Sequence, residues 1–76
     1  MNWHEYINSD PKILYGKPVI KGTRVPVDLI LEKLSEGESI NELLKSYPQI
    51  SVEAISACLN FASQFIRNED AYPIAS

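Results

Sequence analysis

Apolar residues return at helical spacing in three windows of this chain, and each window is bounded by residues that start or stop helices. Val27, Ile30, Leu31 and Leu34 fall on one face at the i, i+3, i+4, i+7 spacing and predict a helix over about 26–36. Pro26 suits its first turn, Asp28 suits the positive end of its dipole, and Gly37 can close its far end. Ile40, Leu43, Leu44 and Tyr47 repeat the spacing over about 40–47. Ser39 and Glu42 form a capping-box pair at its start, and Pro48 ends it. Ser51 then caps a third helix over about 52–68. The segment 69–76 reads as a loosely held tail.

Ahead of the helices the period changes. Trp3–Asn8 reads as a short strand or turn, Asp10-Pro11 as a break, and Ile13–Tyr15 as a brief apolar run ended by Gly16. Ile20 and Val25 bracket Lys21-Gly22-Thr23-Arg24, where Gly22 can take the positive φ of a tight turn. The expected architecture is mostly α: a tri-helical, helix-turn-helix domain carrying a short N-terminal β-hairpin, with the β element over about 3–25.

The third helix is more apolar than a small core requires. At 100° per residue, Val52, Ala54, Ile55, Ala57, Cys58, Leu59, Phe61, Ala62, Phe65 and Ile66 span roughly 220° of its circumference. The edge formed by Ala57, Phe61 and Phe65 is read as surplus. Its cover is either the N-terminal hairpin or another polypeptide, a second subunit or a different protein. Tyr72 and Ile74 in the tail join it as candidate partner or dimer contacts.

Seventy-six residues make one domain. Such a domain buries only about 60% of its unfolded surface and has stability on the order of 5 kcal/mol. Cys58 is the only cysteine and His4 the only histidine, which argues against disulfides, a metal site and histidine-based catalysis. No apolar run approaches a membrane span, and the first residues are polar with no basic leader, so the expected location is the cytoplasm. The net charge of −3 is unevenly placed: residues 1–35 carry five cations and four anions, residues 36–76 two cations and six anions.

Four cations and no acid lie between Lys12 and Arg24. Lys17, Lys21 and Arg24 are therefore the candidate nucleic-acid contacts, set against a solvated hairpin whose lysines only protect a strand edge. Arg24, at the junction with the first helix, is placed to pair with a carboxylate such as Asp28. Helix three carries Arg67 as its only cation, so base reading by Asn60 and Gln64 is poorly supported. No carboxylates converge, Pro18 removes a donor from Gly16-Lys17-Pro18, and Cys58 sits among apolar neighbours. The chain is not expected to be an enzyme or to need a cofactor or metal.

The run Gly16-Lys17-Pro18-Val19-Ile20-Lys21-Gly22-Thr23-Arg24-Val25-Pro26-Val27, followed by a helix, a glycine and a second helix ending in Tyr47-Pro48, resembles the hallmark of the prokaryotic domain-of-unknown-function family 433. Ala54-Ile55-Ser56-Ala57-Cys58-Leu59-Asn60-Phe61-Ala62 is similar to its third-helix pattern, and the likeness extends over roughly Ile7 to Arg67. The family usually has an alanine-aromatic-alanine run where this chain has Asn60-Phe61-Ala62. The resemblance implies a homeodomain-like fold and an antitoxin-like role, masking a nuclease-like partner of the PIN superfamily and binding its own promoter. A stand-alone dimeric DNA-binding regulator and a homo-oligomeric scaffold without nucleic acid are the competing expectations.

Overall fold

The computed structural model describes residues 1–68. The N-terminal layer consists of a single 3-10 turn at Trp3–Glu5, strand β1 (Ile7–Asn8), a second tight turn at Leu14–Gly16 and strand β2 (Val19–Ile20). Helices α1 (Val27–Ser35), α2 (Ile40–Ser46) and α3 (Val52–Asn68) follow. The fold is the expected tri-helical domain with a small antiparallel β element. No helix among the described residues is long and apolar enough to cross a membrane.

The helix ends form for the reasons the sequence supplies. The Ser39 side chain accepts from the Glu42 backbone N–H at 3.1 Å, and the Glu42 carboxylate accepts from the Ser39 N–H at 3.0 Å. At the end of α1, the Gly37 N–H bonds to the Leu34 carbonyl and the Glu38 N–H to the Lys33 carbonyl, both at 3.1 Å. That pair of bonds is the Schellman closure, and it requires the left-handed φ of +91° that Gly37 adopts. Pro26 is the N-cap of α1 rather than its first helical residue, because its ψ of 148° is still extended.

The β element is more composite than a simple hairpin. β1 pairs antiparallel with β2 in the register Ile7–Ile20 and Asn8–Val19. On its other side β2 meets the segment entering α1: Val19 bridges Pro26, the Ile20 N–H bonds to the Val25 carbonyl, and the Val27 N–H bonds to the Pro18 carbonyl. The intervening turn is held by the Thr23 N–H on the Ile20 carbonyl at 3.1 Å, with Gly22 at φ +78° in the third position. Thr23 secures it further, its hydroxyl donating to the Ile20 carbonyl and accepting from the Val25 N–H.

Ile7, Ile20, Val25, Val27, Ile30, Leu43, Ile50, Ala54, Ile55, Ala57 and Cys58 form one buried cluster. Every element from β1 onward except the Leu14–Gly16 turn contributes to it. α3 runs across that cluster, so its rotation decides which of its apolar residues are covered.

Candidate functional site

The third helix is where covered and uncovered apolar surface meet. Ala57 is fully buried, and Phe61 is half-covered by Trp3, whose ring stands edge-on to it at 4.7 Å and 89°. Trp3 in turn stacks on His4 at 3.7 Å, and the His4 ring lies 2.8 Å from the Asn2 carboxamide oxygen. The N-terminal turn thus seals most of the edge that reads as surplus in the sequence. Ala57 is no contact for a partner: the chain's own core encloses it, which corrects that assignment.

Phe65 is different. It continues the aromatic row, stacked on Phe61 at a centroid distance of 6.1 Å, yet 56% of it stays exposed. Phe61, Phe65, Asn60 and Gln64 face Met1, Asn2, Trp3 and His4 across an open cleft of about 370 Å³. Its walls are aromatic and its rim carries carboxamides and an imidazole. Tyr72 and Ile74 lie outside the described residues.

A second uncovered surface runs along the opposite edge of α3. Val52, Leu59 and Ile66 are 46%, 49% and 52% exposed. They follow one another at intervals of seven residues, which at 100° per residue places them within roughly 40° of one another. The apolar-arc reading contains all three residues but assigns the surplus to the other side. A helical wheel shows how wide an apolar arc is; which side the neighbouring elements cover depends on where the N-terminal turn and α1 dock.

The basic segment is also rearranged. The Lys17 ammonium pairs with the Asp28 carboxylate at 3.1 Å, so Asp28 is paired with Lys17, not with Arg24. Lys21 and Arg24 are exposed on the Gly22 turn. Lys17, Pro18, Val27, Asp28, Leu31 and Phe61 also line a smaller, mostly apolar cleft of about 170 Å³. The neighbouring turn carries Leu14 and Tyr15 at φ 49° and 57°, with Gly16 at 83°, a left-handed run closed by the Gly16 N–H on the Ile13 carbonyl and the Lys17 N–H on the Leu14 carbonyl. Two non-glycine residues in that region cost about 1–2 kcal/mol each. Tyr15 projects from it fully exposed.

Cys58 is fully enclosed, and burial pushes its thiol up to about 11, so almost no thiolate exists at neutral pH. Among the described residues no three histidine, cysteine, aspartate or glutamate side chains gather as a metal site would require.

The family model described as "Protein of unknown function (DUF433)" matches residues 7–62. The "Uncharacterized protein y4eO" of Sinorhizobium fredii is 39% identical over 51 residues, amounting to 67% of this chain and 23% of that protein. The chain therefore spans less than a quarter of that relative's length. A crystal structure of a DUF433 member protein from Anabaena variabilis superposes with a TM-score of 0.75 at 29% identity, covering 86% of this chain and 64% of the other.

Proposed function

The chain belongs to the DUF433 family, and from that premise we propose that it is a small antitoxin-like binding protein, acting in the cytoplasm without catalysis, that masks a nuclease-like partner of the PIN superfamily. The observation that carries this reading is the aromatic row Trp3, Phe61 and Phe65, rigid at its covered end and open at Phe65. An aromatic anchor held by packing beneath it loses little conformational entropy on binding, and such anchors dominate protein interfaces. The adjoining cleft supplies Asn60 and Gln64 as hydrogen-bonding groups around that anchor.

Co-expression with the product of the adjacent gene, followed by size exclusion and a nuclease assay, tests the reading. A co-eluting complex with suppressed nuclease activity, lost on Phe65→Glu, is the expected result. Separate elution and undiminished nuclease activity would overturn it.

A second role, repression of its own promoter, rests on Lys21 and Arg24, both exposed on the Gly22 turn and free of the Lys17–Asp28 pairing. In a fluorescence-anisotropy titration over several salt concentrations, removing each phosphate contact lowers the salt slope by about 0.9. Lys21→Ala and Arg24→Ala should each do so on any duplex. If the unmodified chain binds neither promoter nor scrambled DNA, this second role fails and the masking role stands alone.

A further inference from the structure

We propose that the Val52, Leu59 and Ile66 edge of α3 is the seat of a second copy of this chain, packed antiparallel about a two-fold axis at Leu59. This goes beyond the masking role and uses the opposite edge of the helix, so either can fail without the other.

Val52 and Ile66 each lie seven residues from Leu59, so turning α3 end for end about Leu59 places Val52 of one copy on Ile66 of the other and Leu59 on Leu59. The stripe is therefore self-complementary, as an isologous two-fold interface must be. A repeat of seven is also the period at which paired helices keep one seam in register. Beside the stripe, Ser56 and Ser63 are small enough to let two helix backbones approach.

Charge adds an independent constraint on direction. Glu53 lies in the first turn of α3 and Arg67 in the last, both on the flank beside the serines. A two-fold axis perpendicular to the helices joins like flanks, so the antiparallel arrangement sets Glu53 of each copy beside Arg67 of the other. A parallel pair, with its axis along the helices, joins unlike flanks and brings Glu53 beside neither Glu53 nor Arg67 of the other copy. Antiparallel packing also opposes the two helix dipoles favourably. Spacing, small flanking residues and charge order thus select one occupant and one orientation.

Sedimentation velocity on the full chain over a dilution series, with circular dichroism to confirm folding, tests the proposal. The unmodified chain should pass from dimer to monomer on dilution, and Leu59→Glu should weaken dimerisation by more than about tenfold. Glu53→Lys should weaken it too, and Glu53→Lys combined with Arg67→Glu should restore it, because the swap re-creates both pairs only in the antiparallel register. Leu59→Cys, whose side chain lies on the axis, should form a disulfide-linked dimer under mild oxidation, whereas Phe65→Cys should not. A monomer at high micromolar concentration overturns the proposal and leaves the edge to a different protein. Cross-linking through Phe65→Cys but not Leu59→Cys overturns it in favour of the opposite edge.

Discussion

The two edges of α3 are alike in composition and opposite in surroundings. Ala57 and Phe61 on one edge meet Trp3 and the N-terminal layer, while Val52, Leu59 and Ile66 on the other remain about half exposed. The covered edge belongs to the stability of the monomer. The uncovered edge contributes less to the monomer, and its exposed half is available for association. An apolar side chain of the same size therefore has different consequences on the two edges of a single helix.

Placing the same charge on each edge breaks this comparison most sharply. Ala57→Glu buries a carboxylate with no partner and should cost more than about 3 kcal/mol, a large share of the stability of so small a domain. Its readout is a collapsed melting transition, with Cys58 becoming reactive to alkylation as the core opens. Leu59→Glu should change monomer stability by only about 0.5 kcal/mol, as surface substitutions do. Equal melting temperatures for the two variants would erase the distinction between the edges.

The next effects concern what seals the covered edge. Gly22→Val forces a β-branched residue to φ +78° and should cost about 1–3 kcal/mol through backbone strain, since no neighbouring atom lies within 4 Å of the added Cβ. Trp3→Ala removes the edge-to-face contact with Phe61 and should cost about 1–2 kcal/mol, measured by chemical denaturation. Both variants should leave Leu59-dependent association intact, which separates packing of the N-terminal layer from the uncovered edge.

The smallest effect is electrostatic and lies on α2. The hydrogen bonds from Ser39 hold the Glu42 carboxyl below its usual range. A carboxylate with a lowered folded-state pKa stabilises the fold above its unfolded pKa, and that contribution is lost as pH falls through the folded value. Acid should therefore weaken the α2 cap, and Glu42→Gln should flatten this part of the dependence while keeping an acceptor for the Ser39 N–H. Melting temperature against pH for both forms is the check.

Much of the fold is legible in local sequence because the relevant interactions are local. Ser39 and Glu42 bond three residues apart, Gly37 closes α1 within one turn, and Gly22 supplies the φ its own turn demands. What sequence spacing does not reveal is decided by distant contacts. Lys17 reaches Asp28 across eleven positions, taking the carboxylate offered as an example of a partner for Arg24. Trp3 crosses nearly the whole chain to reach Phe61, and that contact covers part of the edge that reads as surplus in the sequence. The left-handed Leu14 and Tyr15 carry no glycine-like signal at their own positions. For the candidate site, Phe65 is readable as an exposed aromatic, but Val52, Leu59 and Ile66 become a separate surface only once the rotation of α3 is known.

The Ala57 and Phe61 part of one edge of α3 is internal to the monomer, and the Val52, Leu59 and Ile66 edge meets a second copy. NMR spectra of the side chains recorded over a dilution series test it most directly. The methyl groups of Val52, Leu59 and Ile66 should shift with concentration, while the Trp3 indole and the Phe61 ring stay unchanged. Shifts at Trp3 and Phe61 with constant Val52, Leu59 and Ile66 methyl signals would contradict it.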